Sequence, residues 1–223
     1  MHKGMNPLKD PVIKVTKFTL KRLPHYYRFV STCLDKGLQF ISSEEIAKGV
    51  QINAVQIRRD LMMFEAIGTP GVGYSVEELH SKLGEVLGLK NVNEAVIIGI
   101  GRLGRAIIDY PGFERYGLKI VGLFDSDPGV IATKINGKEI FAVDELEHIV
   151  GRLHIKIGII TVPDEWAQSV ADTLIKSGVK AIWNFAPVDI RVPEDVVVRN
   201  EDLAAGLATL CHLFAGKSSD GFH

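Results

Sequence analysis

The sequence predicts an α/β fold in two parts, a winged-helix unit over residues 12–80 and a Rossmann doubly wound parallel sheet over 81–199, followed by a terminal helical segment over 200–223. Three observations carry this reading. Two short helical segments joined by a tight turn precede a glycine-rich stretch, the order of a helix-turn-helix with its wing. From Asn93 onward, runs of Ile and Val alternate with helical segments, as in a parallel sheet covered on both faces. Between the first such run and the helix after it stands Gly99-Ile100-Gly101-Arg102-Leu103-Gly104, a G-x-G-x-x-G turn in its confirming context.

Residues 1–11 are polar, with two prolines and a glycine, and read as a disordered tail. From Thr16 the apolar residues Leu20, Leu23, Tyr27, Val30 and Leu34 fall at helical spacing, and Pro24 is expected to open a new helix at its first turn. Gly37 ends this stretch. Ser42 or Ser43 can cap the next helix, and Glu45 lies three residues beyond Ser42, as a capping box needs. Asn53 is placed to cap the one after it, with Val55, Ile57, Leu61, Met62 and Phe64 inward and Gln56, Arg58, Arg59 and Asp60 outward. The stretch from Gly68 to Val76, rich in glycine around Val72 and Tyr74, suits a β-hairpin. A connecting helix from Glu77 to Leu89 follows.

Charge supports the division. Residues 1–64 hold eleven Lys and Arg against five Asp and Glu, a balance of +6 that leaves −7 for the remainder of a chain whose total is −1. A basic block on an acidic body fits a nucleic-acid-binding module joined to something else. No apolar run is long enough to cross a bilayer and no leader pattern stands at the N-terminus, so the chain reads as cytoplasmic. Cys33 and Cys211 are far apart among apolar residues and read as ordinary buried thiols; no metal-ligand spacing is present.

In the second unit the strands are expected around Glu94–Ile100, Leu118–Phe124, Lys156–Val162, Lys180–Phe185 and Val196–Asn200, with helices at Arg102–Tyr110 and Asp164–Ser177. Glu201–Gly216 reads as an amphipathic helix with Leu203, Leu207, Leu210 and Phe214 on one side. In the glycine motif, Gly99 allows the tight turn, Gly101 lets backbone approach a pyrophosphate, and Gly104 lets helix and strand pack closely. The free N–H groups at the helix start then face the phosphates. Asp125 lies 21 residues beyond Gly104, where a carboxylate accepts from ribose hydroxyls and repels a 2′-phosphate, so NAD(H) is favoured over NADP(H). A Rossmann-like domain for coenzyme A is a minor alternative.

A dehydrogenase is the rival reading, an NAD-dependent oxidoreductase with a fused helix-turn-helix. It needs a general acid or base near the nicotinamide. His148 and His154 fall in a polar stretch, His212 lies in the terminal helix, and Tyr116 and Lys119 are one residue short of a Tyr-x-x-x-Lys pair. No substrate domain remains once the first third is assigned to DNA. No catalytic residue is therefore named, and the chain is read as a non-enzyme.

Several motifs in order resemble the Rex family of redox-sensing transcriptional repressors. They are RLPHYYR at 22–28, SSEEIA at 42–47, QIRRDL at 56–61, GVGY at 71–74, GIGRLGRAIIDYPGF at 99–113, FDSDP at 124–128, TVP at 161–163, NFAPV at 184–188 and VVVRNEDL at 196–203. The resemblance implies a repressor released from a near-palindromic operator by NADH, while NAD⁺ permits binding. It implies a homodimer whose C-terminal helix is swapped onto the partner. It adds Thr161, Val162, Pro163, Asn184, Phe185 and Ala186 to the cofactor set. It also adds Gly71 and Tyr74 of the wing to the DNA-contacting set of Gln56, Arg58 and Arg59. It further implies a switch in which Asp202 bonds alternately to Tyr110 and Arg28. Three departures stand out: Pro70 where a basic residue is usual, Met62-Met63-Phe64-Glu65 where Ser-Tyr-Phe-Gly is usual, and Leu203 where some members carry an aromatic.

Overall fold

A computed structural model describes residues 15–90 and 93–219; the tail assigned to residues 1–11 lies outside them. The chain divides after residue 91 into two compact units.

The first unit opens with helix α1 (Lys17–Asp35), capped by Thr16, whose side chain accepts from Thr19 N–H. Pro24 does not start a second helix but sits inside this one. The buried stripe Leu23, Tyr26, Val30 and Cys33 runs straight across the proline. Continuous packing thus offsets the hydrogen bond that proline cannot donate. Strand β1 (Phe40–Ile41) leads to α2 (Ser43–Val50), where Ser42 and Glu45 form the expected capping box. Helix α3 (Ala54–Met62) is capped by Asn53 Oδ1, which accepts from Val55 N–H at 2.7 Å. Ile57, Leu61 and Phe64 are buried as read, whereas Val55 and Met62 are exposed. Asp60 reverses its assignment more sharply, being fully buried at 0% exposure.

The wing is short. Strand β2 (Tyr74–Ser75) pairs antiparallel with β1, and Thr69 bridges Gly73 across a tight turn. Thr69 O accepts from Val72 N–H at 3.0 Å, with Pro70 and Gly71 between them and Gly71 at φ +77°. A glycine at positive φ after proline is what a type II turn requires. Helix α4 (Val76–Val86) packs Val76, Leu79 and Leu83 into the core shared by α1, α2 and α3, so this unit extends beyond residue 80.

The second unit is a seven-stranded sheet in the order β5-β6-β4-β3-β7-β8-β9. Its strands are β3 (Asn93–Ile98), β4 (Leu118–Asp125), β5 (Lys134–Ile135), β6 (Lys138–Ala142), β7 (Ile157–Ile160), β8 (Ala181–Asn184) and β9 (Val197–Asn200). All pairs are parallel except β5–β6. Between the strands lie α5 (Arg102–Ile108), α6 (Leu146–Leu153) and α7 (Asp164–Lys176). The pleat sends Val96 and Ile98 into the core under α6 and α7, and Ala95 and Ile97 into a second core that includes Ile107 of α5. Sequence reading missed β5, β6 and α6. The stretch around His148 looked polar, yet Leu146, Ile149 and Val150 are its buried face.

The last helix, α8 (Leu203–Ser219), forms as expected. It is less one-sided than expected: Ala204, Ala205, Ala208 and Cys211 extend the apolar surface around it, with Thr209 and His212 opposite. Leu207, Leu210 and Phe214 are 62%, 61% and 72% exposed in the single chain. Cys33 is buried as read, but Cys211 is exposed.

Candidate functional site

The strand order reverses at β3, which has β4 on one side and β7 on the other. In doubly wound sheets the crevice beyond the strand ends at such a point is where ligands sit. Here a cleft of about 770 Å³ opens there, lined by Gly99, Ile100, Gly101, Asp125, Thr161, Val162 and Pro163 among others.

The three glycines each answer a separate demand. Gly99 turns at φ +96°, and a Cβ there would meet Thr161 O at 2.7 Å. At Gly104 a Cβ would lie 2.1 Å from Gly99 O, so helix and turn can pack only without a side chain. Around Gly101 a Cβ would meet nothing within 4 Å, which is the open approach a pyrophosphate needs. No side chain caps α5, so its first N–H groups keep their capacity for an anionic acceptor. Arg102 is exposed at this helix start and Leu103 is half-buried beside it.

Asp125 ends β4 and holds the loop in place. Its Oδ2 accepts from Ile100 N–H at 2.5 Å and its Oδ1 from Asp127 N–H at 2.9 Å. Each carboxylate oxygen has a second lone pair, so the group can still accept from a ribose. Thr161 Oγ lies 2.7 Å from Gly99 O and 3.0 Å from Ile98 O, joining the β7 loop to the glycine turn.

Asn184, Phe185 and Ala186 do not line the cleft. Asn184 is fully buried and stitches its own loop: its amide donates to Val188 O at 2.7 Å and to Asn200 Oδ1 at 3.0 Å, while its Oδ1 accepts from Ala186 N–H at 3.0 Å. Phe185 continues an aromatic series, Tyr110–Phe113–Trp183–Phe185, with successive centroids 5.0, 5.4 and 4.7 Å apart. Sequence reasoning stopped at Pro163 and missed the far wall, where Trp166, Ser169, Val170 and Thr173 of α7 face Val143, Asp144 and Glu147. The spacing 166, 169, 170, 173 on a helix directly after TVP was the available signal.

In the first unit the three polar side chains of α3 have different surroundings. Arg59 is exposed and makes no hydrogen bond or ion pair among the described residues. Arg58 Nη1 donates to Ser43 Oγ at 2.7 Å and to Glu44 Oε1 at 2.8 Å. Gln56 Nε2 donates to Asp60 Oδ1 at 2.9 Å. Asp60 collects further donors: Arg22 through Nε and Nη2, both at 2.7 Å, Tyr26 hydroxyl at 2.8 Å and Thr19 hydroxyl at 3.2 Å. Burial alone would raise this carboxyl, but the donors outweigh it and hold it below the usual carboxylate range. Tyr26 is pushed the other way, by burial first and then by its bond to Asp60. Of the wing residues, Gly71 stands in open space and Tyr74 is half-buried.

Of the residues read as a switch, Arg28 is exposed on α1. Tyr110 is 58% exposed and lies over Gly112, where a Cβ would meet its ring at 2.2 Å. Asp202 caps α8, its Oδ1 accepting from Ala204 N–H at 2.8 Å and Ala205 N–H at 3.0 Å.

Comparison with known proteins matches both units. Residues 14–61 match the family described as putative DNA-binding protein N-terminus, and residues 91–188 the family described as CoA binding domain. The chain is 40% identical over 199 residues to the redox-sensing transcriptional repressor Rex of Thermoanaerobacter pseudethanolicus, covering 89% of each. It is 44% identical to that of Carboxydothermus hydrogenoformans, covering 88% of this chain and 95% of the relative. Among solved structures, RSP, a Rex-family repressor, superposes with a TM-score of 0.83 at 38% identity, covering 92% of this chain and 96% of that one. RSP in complex with β-NAD⁺ and operator DNA gives 0.84, over 94% and 99% of the two chains. RSP in complex with β-NADH gives 0.82, over 92% and 96%.

Proposed function

Because the chain belongs to the Rex family of redox-sensing transcriptional repressors, we propose that it represses transcription from operator DNA and is released by NADH. The observation that carries this is the likeness, over more than nine-tenths of the chain, to a repressor solved both with NAD⁺ and operator DNA and with NADH. The cleft at Gly99–Gly104 and Asp125 receives the dinucleotide, with its pyrophosphate over Gly101 and its adenosine ribose at Asp125. The coenzyme A of the matched family description is a poorer fit, because a carboxylate at Asp125 would repel the 3′-phosphate of its ribose. No residue is assigned a catalytic role.

Helix α3 reads the major groove through Gln56, Arg58 and Arg59, and the wing at Gly71 and Tyr74 meets the adjacent minor groove. The protein acts as a homodimer in the cytoplasm, with the apolar surface of α8 covered by a second copy and a near-palindromic operator matching the two-fold axis. Thr161, Val162 and Pro163 border the cofactor directly, while Asn184, Phe185 and Ala186 support it through their loop. Asp202, Tyr110 and Arg28 couple the two ligands, the free oxygen of the capping carboxylate exchanging between a phenol and a guanidinium.

Selection of bound duplexes from a random pool, with NADH and NAD⁺ compared, tests the reading. A shared near-palindrome, recovered with NAD⁺ and lost with NADH, is expected. Asp202→Ala should still bind NADH yet hold operator in its presence. Unchanged release in that variant would remove Asp202 from the coupling, and Arg59→Ala with unchanged affinity and preference would remove α3 as the reader.

A further inference from the structure

Beyond Asp125 the cleft continues between the segment that follows β6 and one face of α7. Four α7 residues line it at helical spacing, Trp166, Ser169, Val170 and Thr173, opposite Val143 and Asp144. Trp166 is the unusual member. It stands in the first turn of the helix, 60% exposed, and takes no part in the ring contacts that engage Trp183 and its neighbours. Its indole N–H has no acceptor among the described residues. An indole offers a large apolar face and one donor, a surface suited to a flat ligand with a polar edge.

The position indicates what that is. Asp125, at the end of β4, is one wall of the same cleft. A ribose whose hydroxyls face this carboxylate directs the base on its C1′ away from the glycine turn. The slot it enters there is bounded by Val143, Val170 and the Trp166 indole. We propose that Trp166 is a wall of the adenine subsite and selects adenine-bearing dinucleotides by stacking on the base. The assignment rests on the reading that the cleft holds NADH.

Stacking of a base on an aromatic side chain is worth roughly a tenfold change in affinity on substitution by alanine. The test is calorimetric titration of the full-length protein with NADH, ADP-ribose and reduced nicotinamide mononucleotide. In Trp166→Ala, NADH and ADP-ribose should bind about tenfold more weakly, while the mononucleotide, which has no adenine, should be unaffected. Trp166→Phe should retain most of the affinity. The protein has only two tryptophans. In Trp183→Phe, therefore, ADP-ribose should quench the emission that remains, with no nicotinamide present to absorb it. Equal weakening of NADH and mononucleotide, or no change in either, would overturn the assignment of Trp166. Failure of the unaltered protein to bind NADH would overturn the cofactor reading itself, and the adenine subsite with it.

Discussion

Asp60→Asn replaces the most densely hydrogen-bonded side chain of the first unit while nearly keeping its shape. The native carboxylate is fully buried and accepts five bonds from Arg22, Tyr26, Gln56 and Thr19. Removing one partner of a buried ion pair costs about 3–5 kcal/mol. The Arg22 side chain is 25% exposed and can recover some hydration, so the lower end, about 3 kcal/mol, is expected. The pH dependence follows from the depressed folded value. Stability from this group is fully present above the unfolded carboxylate pKa of about 3.9 and is lost as pH falls through the lower folded pKa. The variant should therefore be weaker at neutral pH and converge on the unaltered protein in acid. Both tryptophans lie in the second unit. Their emission should be insensitive to the change, while amide exchange read by mass spectrometry should accelerate across α1 and α3. A loss below about 1 kcal/mol at pH 7, or an equal loss at pH 3, would refute the claim that this carboxylate holds α3 to α1 as an ion.

Four further outcomes follow from the same geometry. Gly104→Ala places a Cβ 2.1 Å from a backbone oxygen, so NADH affinity measured by calorimetry should fall at least about tenfold as the turn is forced open. Asp125→Ala should narrow the preference for NADH over NADPH in the same titration, since the repulsion of the 2′-phosphate is gone; equal affinities in the unaltered protein would sink the role given to this carboxylate. Pro70→Arg should tighten binding to A·T-flanked operator and steepen its salt dependence by about one ion, read by fluorescence anisotropy at several salt concentrations. Glu44→Gln removes the charge that pairs with Arg58 at 2.8 Å and should raise affinity for operator more than for random duplex, an effect that should shrink in an Arg58→Ala background.

What was legible in the sequence was whatever depends on neighbours in the chain. The glycine turn was readable because Gly99 needs positive φ and Gly104 close packing, demands that backbone geometry imposes within six residues. The α3 cap was readable because Asn53 and Val55 are two residues apart. Pro24 was misread because local propensity says helix start, while the buried stripe that overrides it is a property of the whole core. Asp60 was assigned outward because helical periodicity sends charge to solvent. Its main partner, Arg22, stands 38 residues away, and only the fold brings them together. Helix α6 escaped for the same reason: its apolar residues matter only against α7 and the sheet. The two acids at the start of α2 separate these cases within one turn. Glu45 was found because its partner Ser42 is three residues away. Glu44 was not, because the arginine it holds lies fourteen residues on, across a turn whose angle no local motif encodes.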